Sequence, residues 1–148
     1  MRQILRQASR WRSMARVPSY RGRMVSEADI DRYGRVLADA ASSRARVIVF
    51  GSYARGTAST ASDLDFLVIE EHVDSRAAES VRLREALPEL DIPVDVLVIS
   101  EEQAQRRAQI KGTTVATALA EGRVVARILA PTSHAHWRAD HARTSTRS

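Results

Sequence analysis

Three aspartates stand where apolar strands have no structural use for them. Asp63 and Asp65 bracket Leu64 in the stretch Asp-Leu-Asp-Phe-Leu-Val-Ile, and Asp95 lies inside Pro-Val-Asp-Val-Leu-Val-Ile. Side chains alternate across a strand, so Asp63 and Asp65 face one side while Leu64, Phe66 and Val68 face the core. Carboxylates gathered on neighbouring strands repel one another and raise their own pKa values. A divalent cation removes that conflict. Hard oxygen ligands suit Mg²⁺, which takes its remaining ligands from water and substrate phosphates.

A second feature lies upstream. The apolar run Val47-Ile48-Val49-Phe50 stops at Gly51, and Ser52, Arg55 and Gly56 follow. Gly51 has no side chain, so a phosphate oxygen can come close to its backbone. A helical turn opening after Phe50 would aim free amides at that phosphate. The Ser52 hydroxyl adds a donor and Arg55 a positive charge. Gly51 and Gly56 have the spacing of a P-loop, but Thr57 stands in place of its lysine. No GxGxxG fingerprint is present. Plainer readings stay open beside these: solvated strand caps for Asp63 and Asp65, a polar strand face for Asp95, an ordinary turn for Gly51-Ser52, a solvent arginine for Arg55. Tyr53 is open to stacking on a base or to packing on a helix, and Lys111 to a nucleotide contact or to plain solvation.

Periodicity predicts the elements that must position these groups. Ser26, followed by Glu27 and Asp29, reads as a helix cap with acids in the first turn. Ile30, Tyr33, Leu37 and Ala40 make one apolar face of a helix ending near Ser42–Ser43. Residues 46–50 predict a buried strand and 56–62 a small polar loop. Residues 63–69 predict a second strand. A helix over 74–87, with Val81, Leu83 and Leu87 turned inward, stops at Pro88. Residues 93–99 predict a third strand. One helix over about 102–121 ends at Gly122, and 123–129 predict a last short strand. The order α-β-β-α-β-α-β has no internal repeat and implies a small α+β sheet packed on helices.

Composition sets the frame. A chain of 148 residues suits one domain with a real core. There is no cysteine, which excludes disulfides and thiolate zinc sites and fits a cytoplasmic protein. No apolar run is long enough to span a membrane, and none fits a secretory signal. The positive net charge sits at the ends. Residues 1–23 hold seven arginines and no acid, whereas 24–130 are net acidic. The expected division is a basic N-terminal arm over 1–23, a folded domain over 24–130 and a tail over 131–148. The arm's composition suits a loosely packed segment, a contact with nucleic acid or membrane, or a targeting peptide. Met14 and Met24 are alternative starts. In the tail, His134, His136 and His141 resemble a metal cluster without a fold to hold it.

Residues 51–68, Gly-Ser-Tyr-Ala-Arg-Gly-Thr-Ala-Ser-Thr-Ala-Ser-Asp-Leu-Asp-Phe-Leu-Val, resemble the signature of the polymerase-β-type nucleotidyltransferases, especially the minimal nucleotidyltransferases of prokaryotes. That pattern is an apolar residue and Gly-Ser, a spacer, Asp-apolar-Asp-apolar, then a third acid on a later strand. Here ten residues separate Ser52 from Asp63, and Val-Asp-Val-Leu-Val supplies Asp95. The resemblance covers roughly residues 26–128. It implies a mixed sheet of about four strands flanked by helices. It also implies two Mg²⁺ ions on Asp63 and Asp65 bridging the triphosphate of ATP, held at Gly51, Ser52 and Arg55. Asp95 would bind the ion nearer the acceptor and help deprotonate its hydroxyl. In-line attack on the α-phosphate would release pyrophosphate.

The resemblance further bears on the acceptor. Antibiotic-modifying relatives carry an additional helical domain, and little chain follows Asp95 here. The expectation is an acceptor site completed by another protein: an antitoxin that pairs with a helical HEPN-type toxin and adenylylates it in a hetero-oligomer. Three alternatives are carried with it. One is an antitoxin acting by contact alone, and another is transfer to a small-molecule acceptor. The third is nucleic-acid binding through the Arg-rich arm, with a steep loss of affinity in salt.

Overall fold

The apolar runs rich in Val, Ile and Leu pair into a single mixed sheet. The computed structural model describes residues 18–129. Along them run α1 (Glu27–Ala40), β1 (Ala45–Phe50), α2 (Ser52–Arg55), β2 (Leu64–Glu70), α3 (Arg76–Ala86), β3 (Val94–Ser100), α4 (Glu101–Ala108), α5 (Thr114–Glu121) and β4 (Arg123–Ile128). The strand order is β3-β2-β1-β4. β1 is antiparallel to both β2 and β4, and β2 is parallel to β3. A parallel pair needs a crossover, which α3 supplies.

Alternation along the strands sorts the core into two layers. On one face Leu64, Phe66 and Val68 join Val47, Val49 and Val98 beneath α1 and α3, where Ile30, Tyr33, Leu37 and Leu83 meet them. On the other face Ile48, Leu67, Ile69 and Ile99 are covered by Ala104 of α4 and by Val115 and Ala118 of α5. α1 begins as its sequence predicts: the Ser26 hydroxyl accepts the Asp29 N–H at 3.2 Å. No helix among the described residues is long and apolar enough to cross a membrane.

Four expectations need correction. Val81 is 59% exposed, whereas Leu83 and Leu87 are buried. At about 100° per residue, Val81 and Leu83 lie on nearly opposite sides of a helix, so both could not face inward. The helix expected over 102–121 is two helices. The first ends at Ala108, the turn that follows holds Gly112 with a φ of 82°, and Thr113 then caps α5 by accepting the Ala116 N–H at 3.2 Å. β2 starts at Leu64, so Asp63 precedes the strand.

The fourth correction concerns the domain boundary. Tyr20 is in the core. Its hydroxyl donates to Asp29 and shares a hydrogen bond with the Tyr33 hydroxyl, both at 2.7 Å, and its N–H donates to Asp91 at 2.9 Å. The folded unit therefore takes in residues 18–23, which the arginine count had assigned to the arm. The rest of the arm and the tail with His134, His136 and His141 lie outside the described residues.

Candidate active site

β1 ends where β2 and β3 begin, and the aspartates gather at that end of the sheet. The pairing sets Phe50, Asp65 and Asp95 side by side across three strands. Residues paired in register point to the same face, so the Asp65 and Asp95 carboxylates share one. Leu64 and Phe66, fully buried on the opposite face, hold that register, because a slip of one residue would turn them into the wrong layer. Asp95 is exposed on β3, an edge strand. Asp63 is exposed just before β2, within reach of Asp65 electrostatically. The Asp65 carboxyl is pushed above its usual range, first by burial, then by the charges of Asp95 and Asp63, with Arg55 opposing them.

Gly51 packs against this cluster. Its φ of 73° and ψ of −153° fall in a region essentially closed to residues with a side chain. A Cβ built there would lie 2.5 Å from Asp65 Oδ2. The sequence alone assigned Gly51 to the approach of a phosphate. The structure adds a second reason, which is that the carboxylate itself occupies the space of a side chain. In α2 the amides of Ala54 and Arg55 both donate to the Gly51 carbonyl at 3.1 Å. The amides of Ser52 and Tyr53, at the start of the turn, have no carbonyl of the turn to bond. Gly56, in the left-handed region, closes the turn by donating to the Ser52 carbonyl.

The remaining candidates divide. Tyr53 turns into the fold, where its hydroxyl accepts the Val25 N–H at 3.2 Å and its ring packs on the core. It holds the segment ahead of α1 in place. Lys111 is exposed in the turn between α4 and α5. Arg55 stays near Asp65 and pairs with Glu121, at the end of α5, across 3.7 Å. Glu121 was not legible as a site residue. It is far from Arg55 in the chain, and only the packing of α5 on β1 brings them together.

Among the described residues no three acidic or histidine side chains converge into a ready-made metal cage. Asp63, Asp65 and Asp95 form an open array at one end of the sheet. The donor set nevertheless fits a hard divalent cation. All three are carboxylates, the cation that acts on Asp65, Arg55, is paired with Glu121, and the ionisation of Asp65 is opposed by Asp63 and Asp95. A cation would reverse that opposition.

A family model described as "Nucleotidyltransferase domain" matches residues 34–125, a span that holds Gly51, Ser52 and all three aspartates. Among solved structures, a toxin–antitoxin crystal structure with AMP-PNP is 20% identical, with 78% of this chain and 85% of the other covered and a TM-score of 0.44. A mutant form of the toxin–antitoxin MntA-HpeT is 17% identical, with 82% and 86% covered and a TM-score of 0.42. No curated protein gives a match.

Proposed function

The chain belongs to the nucleotidyltransferase domain family, and from that premise we propose that it transfers a nucleoside monophosphate, AMP from ATP, to a hydroxyl of a partner protein. The observation that carries the reading is the in-register pair Asp65–Asp95 beside a glycine whose missing side chain leaves room for the Asp65 carboxylate. Asp63, Asp65 and Asp95 would hold Mg²⁺. Two ions, when bound, would stabilise the attacking and the leaving oxygens of an in-line displacement.

The chain's own groups divide the work. Asp63 and Asp65 present the negative charge that would hold the cation, and the cation, when bound, would neutralise the triphosphate. The Ser52 hydroxyl and the amides of Ser52 and Tyr53 donate to phosphate oxygens, and Arg55 offsets their charge. Asp95 stands on the exposed edge strand, the side from which an acceptor can approach, and draws the proton from the acceptor hydroxyl. The fold thus supplies position and charge rather than a covalent intermediate.

The acceptor belongs to the same proposal. Resemblance to the minimal nucleotidyltransferases supports an antitoxin that adenylylates and so neutralises a helical HEPN-type toxin. Incubating the full chain with a candidate helical HEPN-type protein, Mg²⁺ and ATP labelled at the α- or the γ-phosphate tests this. The α-label should appear on the partner and the γ-label should not. Transfer of the γ-label, or of neither, removes the reading.

A further inference from the structure

Arg55 lies between two carboxylates of different standing. One is Asp65, whose Oδ2 lies against Gly51, one helical turn ahead of Arg55. The other is Glu121, with which it makes its ion pair among the described residues. Glu121 is not loosely placed. Gly122 follows it, and a Cβ there would lie 2.3 Å from the Ala118 carbonyl oxygen, 2.4 Å from Ile48 Cγ2 and 3.0 Å from the Val49 carbonyl oxygen. The end of α5 is therefore pressed onto β1. Arg123, the next residue, pairs in register with Val49, two positions before Gly51. Backbone contact thus fixes the main chain of Glu121 at the rim of the candidate site, from which its half-exposed side chain reaches Arg55.

Each alternative for Arg55 has a chemical consequence. A guanidinium bonded to Asp65 would neutralise a carboxylate that the divalent cation needs. A guanidinium held at the rim leaves that carboxylate free and keeps a positive charge where a polyphosphate arrives. We propose that Glu121 is a positioning residue, holding Arg55 off Asp65 so that the aspartate stays available to Mg²⁺ and the arginine to the nucleotide's phosphates. This rests on the nucleotidyltransferase reading and adds to it a residue that acts only through another.

The test reads binding, so it needs neither an acceptor nor turnover. The full chain is titrated with a fluorescent non-hydrolysable ATP analogue at several Mg²⁺ concentrations. Glu121→Gln should raise the Mg²⁺ needed for half-maximal analogue binding by about three- to five-fold, the scale of a partly exposed ion pair. Glu121→Asp, which keeps the charge, should stay within about two-fold of wild type on that scale. In an Arg55→Ala background, Glu121→Gln should add nothing, because the residue acts through Arg55. A merely structural role would carry the loss into that background, and such a result overturns the proposal. So does analogue binding whose Mg²⁺ dependence ignores Glu121→Gln. A wild-type chain that binds no Mg²⁺·nucleotide overturns the nucleotidyltransferase reading itself, and the two failures are thereby told apart.

Discussion

β2 carries an acidic cluster at each end, and the two are handled in opposite ways. At its far end Glu70 is fully buried. Glu70 Oε2 accepts the Ser42 N–H at 3.1 Å. Its Oε1 meets no N–H or O–H donor among the described residues, and the carboxyl answers by keeping its proton. Burial first, then a hydrogen bond to Glu79, push Glu70 well above the glutamate range. Burial also acts to raise Glu79, but Arg82, the Glu70 proton and the Ser42 hydroxyl together hold it below. Arg82 donates to Glu79 Oε2 at 2.9 Å and to the Ala40 carbonyl at 2.6 Å. Everything there is answered from within the fold. At the near end Asp65 has two like charges around it and one cation engaged elsewhere. A closed polar network ties α3 to the sheet. The cluster at the near end is left open.

If that contrast is right, removing charge should have opposite results at the two ends. The largest effect is expected for Asp65→Asn, which should abolish transfer. Its melting temperature at neutral pH should equal or exceed that of the wild type, because the neutral amide escapes the repulsion. Mg²⁺ should raise the melting temperature of the wild type and do much less for the variant. Equal stabilisation of both by Mg²⁺ would place the cation elsewhere.

Asp95→Asn comes next. Single-turnover labelling of the partner should slow by at least about two orders of magnitude, the usual scale for an acid–base group. Mg²⁺·ATP binding, measured in parallel, should stay within a few-fold of wild type. Unchanged transfer would make Asp95 an ordinary edge-strand residue.

Stability changes of roughly 1–3 kcal/mol should follow at each end for different reasons. Glu79→Ala leaves the Glu70 proton without its acceptor and Arg82 with only its bonds to Ala40 and Ser42. Gly51→Ala forces a side chain into a conformation open only to glycine, and it also displaces the Asp65 carboxylate. Urea unfolding measures both. Only Gly51→Ala should also weaken nucleotide binding, and loss of binding in Glu79→Ala would mean that the two ends are coupled.

The smallest effect is a slope. Folded Glu70 holds its proton to higher pH than unfolded Glu70 does. Between the ordinary glutamate range and its raised value, the folded chain therefore binds more protons, and stability falls as pH rises. Glu79 works the other way: its contribution is present above the ordinary range and is lost as pH falls through its lowered value. Glu70→Gln should flatten the decline on the alkaline side and leave the acid side alone. Melting curves taken across that range would show this, and an unaltered slope would mean that Glu70 is ionised in the fold.

Much of this protein could be read along the chain, because the rules that decide it are local. A period of two put Leu64, Phe66 and Val68 in one layer and left Asp65 on the other face. A period of 3.6 put Ile30, Tyr33 and Leu37 on the buried side of α1. Ser26 announced its cap, and Gly51-Ser52, Asp63, Asp65 and Asp95 announced a family. Local rules also explain the misses within elements. Val81 and Leu83 could not share a helix face, and Gly112-Thr113 was a turn glycine followed by a helix cap inside an otherwise helical pattern.

What the chain could not announce depends on which segments lie side by side. Pairing of β2 with β3 sets Asp65 opposite Asp95. The strand order decides that Asp95 falls on an edge strand, where it is exposed. Packing of α5 on β1 carries Glu121 to Arg55, and the fold of 18–25 over the core claims Tyr20 from an arm that its composition had written off. Spacing within one element follows from backbone geometry, which every residue shares. Proximity between elements follows from how the whole buried surface is best covered, and that depends on all of the side chains together.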